Sequence, residues 1–224
     1  MKPAPPLTST RMRLPYAAGG RPPVGAPVVG EFIACSHGPV SIFQPLQASV
    51  ECVVTPDGEH NVWFVGDDAE CVVIDPAGDL GDLIGYTELR RLRAILWTSL
   101  SPESVGVAVR LADLTQAVTY LPADDLAIWR RSEPERRPQS PVPRGLVLKI
   151  GGLRLESIHT PGLTPGTVCW YAPSLSAVFT GDTLVAAGPG GWDLVAAARS
   201  TLIASIRGRL FSLPSGTVVH PGKG

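Results

Sequence analysis

The sequence predicts a mixed α/β fold, and three observations carry that expectation. Short runs rich in Val, Ile, Phe and Trp recur at 50–54, 61–65, 71–75 and 94–97, each of strand length. Segments with apolar residues at helical spacing occupy 102–116 and about 194–210. The strand and helix patterns form two successive sets, separated by a Pro-rich, charged connection at 132–144. With 224 residues, 44% hydrophobic and 17% charged, the chain is long and apolar enough for one domain with a substantial core.

Taken in order, residues 1–30 hold seven Pro, four Gly and four basic residues with no acid. Such a composition buries too little surface to order itself, so a flexible arm is expected ahead of a single domain over 31–224. The same composition also suits a segment that orders on a partner. The strands at 50–54, 61–65, 71–75 and 94–97 come next, then the helix over 102–116 with Val105, Val109, Leu111 and Leu114 on its apolar side. A short strand at 118–121 and a short helix at 124–131 complete the first set. The second set has strands at 146–150, 153–158, 168–172 and 177–180. A helix over about 194–210 follows, with Leu202, Ile203, Ile206 and Leu210 on one face, and the last strand is 217–220.

Composition excludes several classes of function. A net charge of −1 gives no electrostatic footprint for nucleic acid or an anionic membrane. No apolar run approaches the roughly 18 residues of a membrane-spanning helix. The N-terminus lacks the continuous apolar core of a secretory signal, so a cytoplasmic location is expected. Cys35, Cys52, Cys71 and Cys169 are scattered without Cys-x-x-Cys spacing, which predicts buried, reduced thiols rather than a disulfide framework.

The chemistry-bearing motifs cluster at the ends of the apolar runs. Val72-Val73-Ile74-Asp75-Pro76 closes one strand, and Ala94-Ile95-Leu96-Trp97 runs into Thr98-Ser99-Leu100-Ser101-Pro102-Glu103-Ser104. Further along stand His159-Thr160-Pro161-Gly162-Leu163-Thr164-Pro165-Gly166-Thr167, Phe179-Thr180-Gly181-Asp182-Thr183-Leu184 and Val218-Val219-His220-Pro221-Gly222-Lys223-Gly224. In kind, order and spacing these segments, with Asn61-Val62-Trp63-Phe64-Val65-Gly66, resemble the motifs of the metallo-β-lactamase superfamily. The glyoxalase II-like branch fits best, and the resemblance covers about residues 48–224. It implies a four-layer αββα sandwich.

The resemblance also implies a comparison at the metal site. The family holds two metals, usually zinc or iron, through five histidines and two aspartates. At the matching positions this chain has Ser99, Ser101, Glu103, Ser104, Leu163, Asp182 and Lys223. Only Asp182 is unchanged, and Glu103 is the one conservative change. Serine hydroxyls are poor zinc ligands, leucine has no donor, and a protonated lysine repels a cation. Without metal there is no bound water with its pKa lowered to about 7 to act as nucleophile. The expectation is therefore no metal and no catalytic residue: a binding, regulatory or scaffold protein with an unknown protein partner or small ligand. The alternative is a metal-dependent (thio)ester hydrolase with a rearranged site, for which His159, His220, Asp182 and Glu103 are the candidate ligands.

Each residue also has a plainer role. Ser101, Pro102 and Glu103 suit a helix start, with a cap worth about 1 kcal/mol. Lys223 is either a residue of a frayed terminus or the partner of Asp182 or Glu103 in an ion pair that stands in for the metal, with Leu163 filling space vacated by an imidazole. Relatives of the branch usually carry a thiol-binding extension after this point and Gly-Arg-Thr-Asp-Leu where this chain has Gly190-Gly191-Trp192-Asp193-Leu194. Glutathione-thioester recognition is therefore expected to be altered.

Overall fold

In the computed structural model, which describes residues 12–13, 48–87, 90–100, 102–132, 140–191 and 193–224, two six-stranded sheets lie face to face between helices. The first sheet comprises β2 (Ser49–Val54), β3 (Asn61–Gly66), β4 (Glu70–Ile74), β5 (Arg91–Leu96), β6 (Val118–Pro122) and β7 (Ser140–Val142), in that spatial order. The second comprises β1 (Met12–Arg13), β8 (Val147–Ile150), β9 (Leu153–His159), β10 (Val168–Ala172), β11 (Ala177–Gly181) and β14 (Val218–Pro221), ordered β1-β14-β11-β10-β9-β8. A small ribbon of β12 (Leu184–Val185) and β13 (Gly188–Pro189) leads toward the last helix. The helices are α1 (Leu80–Thr87), α2 (Pro102–Thr115), α3 (Leu126–Ser132) and α4 (Ala196–Ser205).

Alternation along the strands builds the layers. Val62 and Phe64 of β3, with Cys71 and Val73 of β4, face α1, α2 and α3, where Leu83, Val105, Leu111 and Trp129 meet them. Their neighbours Trp63, Val65, Val72 and Ile74 face the other sheet and pack on Leu155, Trp170 and Phe179. On that sheet's far side, Cys169, Val178 and Val219 pack on Leu202, Ile206 and Leu210 of the last helix. Three apolar cores separated by two sheets make the four-layer αββα sandwich that the family resemblance implied. Strands buried on both faces explain why the runs read as continuous apolar stretches. A bulge between Cys71 and Val72 against β5 shifts the register by one residue, so Leu92 faces the helices while Ala94 faces the sheet interior.

Several sequence expectations need correction. Leu114 is 63% exposed, and the buried face of α2 is Val105, Ala108, Val109, Leu111 and Ala112. The connection at 132–144 contains β7, which pairs parallel with β6 at the sheet edge. Pro141 is tolerated there because an edge strand leaves some N–H positions unpaired. The short helix near 124–131 is a 3₁₀ turn, Ala123–Asp125, followed by α3. The helix over 194–210 is α4 continued by a π-helical turn, Ile206–Leu210, which keeps Leu202, Ile206 and Leu210 on the core side. Neither α1 nor the β12–β13 ribbon was anticipated. Of the expected arm over 1–30, Met12–Arg13 pair antiparallel with β14, and the rest lies outside the described residues, as do Cys35 and the Ser101 cap.

Candidate functional site

The cavity sits where several strands end along one edge of the sandwich. β4 delivers Asp75, β5 delivers Thr98 and Ser99, β11 delivers Gly181 and Asp182, and β14 delivers Gly222, while His60 and Asn61 open β3. With Ser104 and Val107 of α2, these residues line a cavity of about 340 Å³.

Its floor is a clasp between neighbouring strand ends. The Thr98 N–H donates to Asp75 Oδ1 at 2.7 Å, and the Thr98 hydroxyl donates to Asp75 Oδ2 at 2.7 Å. Asp75 has a left-handed backbone, φ 51°, which turns its side chain back toward β5. The residue keeps some exposure toward the cavity, yet its carboxyl is enclosed. Burial pushes its pKa up to about 7, the two Thr98 bonds pull it down, and the charge of Asp182 adds to the rise. Gly181 makes the approach feasible. A Cβ there would lie 2.0 Å from Thr98 Oγ1, and its φ of +50° already favours glycine.

The rim carries an ion pair. Lys223 Nζ lies 3.4 Å from Asp182 Oδ2, with side chains 46% and 42% exposed. Lys223 is not on a frayed end, because the backbone beside it is held from two sides. Asn61 N donates to Gly222 O at 2.8 Å, and Gly222 N donates to Gly181 O at 2.8 Å. The Asn61 amide donates to Pro221 O at 3.1 Å and Gly224 O at 3.2 Å, and Trp63 Nε1 donates to Pro221 O at 2.9 Å. An exposed pair of this kind stabilises the fold weakly, so its interest is where it puts charge.

The remaining sequence candidates divide clearly. Ser99 and Ser104 line the cavity with Asp182. Leu163 does not line it. It joins Leu194 at the margin of the outer core under α4. His159 Nε2 is 2.9 Å from Pro165 O and 3.9 Å from Asp124 Oδ2, bracing its own turn. His220 is buried between rings, 4.6 Å from Trp63 and 4.9 Å from Phe179 by centroid. Among the described residues, His159, His220 and Asp182 form no group placed to hold a metal ion. Ser101 lies outside the described residues, as does the side chain of Glu103. His60, Asn61 and Asp75 are cavity residues that were not singled out as site residues beforehand. Asp75 carried a signal, a carboxylate closing an apolar strand, whereas His60 and Asn61 reach the cavity only through the topology.

The donor set decides what the cavity suits. Among the described residues, no group of three His, Cys, Asp or Glu side chains is placed to hold a metal ion. The positions that the family resemblance assigns to ligands present hydroxyls at Ser99 and Ser104, an alkyl group packed elsewhere at Leu163, and an ammonium at Lys223. These residues do not fit a dinuclear zinc or iron centre. They offer hydroxyl, carboxyl, amide and imidazole groups beside the apolar Ala77 and Val107.

The family model described as the Metallo-beta-lactamase superfamily matches residues 55–222. The "Probable metallo-hydrolase YqgX" of Bacillus subtilis is 29% identical over 180 residues, 74% of this chain and 85% of that protein. The "Hydroxyacylglutathione hydrolase GloC" of Haemophilus influenzae is 27% identical over 192 residues, 79% of this chain and 91% of that protein. Among solved structures, the BLEG-1 B3 metallo-β-lactamase superposes with a TM-score of 0.67 at 26% identity, covering 79% of this chain and 92% of that one.

Proposed function

The chain belongs to the metallo-β-lactamase superfamily, its glyoxalase II-like relatives included, and we propose that within it the chain is a metal-independent binding protein rather than a hydrolase. The observation that carries this reading is the chemistry of the cavity wall. Ser99, Ser104 and Asp182 line it, and Lys223 is paired with Asp182 at its rim. Hydroxyls and an ammonium do not generate a metal-bound hydroxide, and His159 Nε2 lies 2.9 Å from Pro165 O in its own turn rather than beside a cavity serine. Fold and activity are separable, so the family scaffold is compatible with a receptor function for a small polar ligand or a partner's side chain. The free thiols of Cys52, Cys71 and Cys169 support a cytoplasmic location.

The second reading is a metal-dependent (thio)ester hydrolase with rearranged ligands, favoured by the hydrolase names of both curated relatives. Metal stoichiometry separates the two. Protein purified without chelator, then loaded with zinc, iron or manganese, is expected to hold less than about 0.1 metal per chain, where an intact site of this type binds tightly. It is also expected to leave a hydroxyacylglutathione thioester unhydrolysed. One or two metals per chain with thioester turnover would establish the hydrolase reading instead.

A further inference from the structure

Asp182 occupies the only former ligand position that keeps its residue, and the family scaffold puts a divalent cation against it. Here a cation of the chain itself stands beside it, Lys223 Nζ, 3.4 Å from Oδ2. The lysine is delivered there by fixed backbone. Gly222, immediately before it, is bonded to both Asn61 and Gly181, and Gly224, immediately after it, accepts from the Asn61 amide. A Cβ on Gly222 would lie 2.9 Å from the Gly181 carbonyl carbon, so strand β14 is pressed against the same turn that presents Asp182. The ammonium and the carboxylate thus arrive from two adjacent parallel strands, β11 and β14, whose pairing runs through Gly181 and Pro221.

We propose that Lys223 is a tethered cation that holds the place of a divalent metal at Asp182 and keeps the cavity closed to metal ions. This rests on the metal-independent reading and adds to it a specific agent. The lysine neutralises the carboxylate that the scaffold retains. It also repels any divalent ion entering beside it. At the dielectric of water, repulsion between an ammonium and a divalent ion about 4 Å away weakens binding by roughly thirtyfold, and a less polar cavity enlarges the factor. An arginine at 223 would preserve the effect because its charge is permanent.

The test is calorimetric titration of Zn²⁺ into the full chain and its K223Q, K223A, K223R and D182N/K223Q variants, each checked for native circular dichroism. Lys223 is exposed, so these substitutions leave the core intact. The expected result is that wild type and K223R bind Zn²⁺ only weakly, without reaching saturation, at least about thirtyfold more weakly than K223Q and K223A, and that D182N/K223Q loses the gain. If K223Q and K223A bind no more tightly than wild type, the role of Lys223 is overturned while the metal-independent reading stands. If wild type itself saturates at one or two Zn²⁺ per chain, both are overturned.

Discussion

Thr98 engages both carboxyl oxygens of Asp75, one through its backbone N–H and one through its hydroxyl, each at 2.7 Å. The clasp joins the ends of β4 and β5 beneath the cavity, and it does so around a carboxyl whose pKa burial has pushed up to about 7. The folded state therefore holds the Asp75 proton more tightly than the unfolded chain, where the ordinary value is 3.8.

The pH dependence follows from that sign. The stabilisation linked to protonated Asp75 is fully present below about pH 4, declines as the pH rises toward 7, and is absent above it. Asp75→Asn is neutral throughout and keeps an oxygen for the Thr98 N–H. The stability of wild type relative to D75N is expected to fall between pH 4 and 8 by up to a few kcal/mol, on the order of 1.4 kcal/mol for each tenfold change in proton affinity. Urea midpoints at four pH values measure it. A constant difference would mean that Asp75 ionises in the ordinary carboxylate range.

Gly181 tests the same clasp from the opposite sheet. In Gly181→Ala the new methyl meets Thr98 Oγ1 at 2.0 Å and Thr98 Cβ at 2.8 Å, on a backbone at φ +50°. Neither Thr98 nor the strand end can give way without breaking the Asp75 bonds. The variant is expected to lose about 2–5 kcal/mol, combining overpacking with left-handed strain. A denaturation midpoint close to wild type would show that the two strand ends are less tightly opposed.

The legible parts of the chain were those where local pattern and tertiary role coincide. Apolar runs such as Val72-Val73-Ile74 announce a strand because both of its faces are buried. The α1 segment escaped because two of its eight residues are glycines and only Leu83 and Thr87 are buried. Leu114 was assigned to the core by spacing, but small Ala108 and Ala112 let α2 lie close on the sheet and turn Leu114 outward. At the site, the motif positions left Lys223 open between a frayed terminus and a pair with Asp182 or Glu103, and the 3.4 Å Lys223–Asp182 contact is one of those readings. His60 and Asn61 were not legible, since they open a strand far in sequence from Asp182 and Gly222. Only the pairing of the two sheets at their edges brings them to one cavity.

Asn61 governs how firmly the Lys223 segment is held. Asn61→Ala removes the amide bonds to Pro221 O and Gly224 O and leaves a buried carbonyl with fewer donors. A loss of about 1–2 kcal/mol is expected. Hydrogen exchange is the sharper readout. The Gly222 amide, bonded to Gly181 O, should exchange faster in N61A, while the amides of β10 remain protected. Unchanged exchange at Gly222 would place the restraint elsewhere.

Thiol chemistry should follow burial. Cys71 and Cys169 are fully enclosed, with burial pushing their pKa values up to about 11 and about 12, whereas Cys52 is partly exposed with a pKa near 11. The thiolate is the reactive form, so all three are expected to react slowly with an aromatic disulfide at pH 8, Cys52 ahead of the others, and rapidly once denaturant unfolds the chain. Peptide mapping by mass spectrometry assigns the order. Fast labelling of Cys169 in native protein would contradict the packing beneath α4.

His220 separates a packing role from a metal role. The residue is 8% exposed, its ring edge-on to Trp63 at 76° and nearly parallel to Phe179 at 24°. Such a site rewards a flat ring of similar size. His220→Ala leaves a void between two large aromatics and is expected to destabilise by about 2–4 kcal/mol. His220→Phe retains the stacking and should lose less than half of that. Metal content after zinc loading should be indistinguishable between wild type and H220F, because His220 is not among the residues that line the cavity. A drop from stoichiometric to negligible metal in H220F would identify His220 as a ligand and shift the reading of the cavity toward hydrolysis.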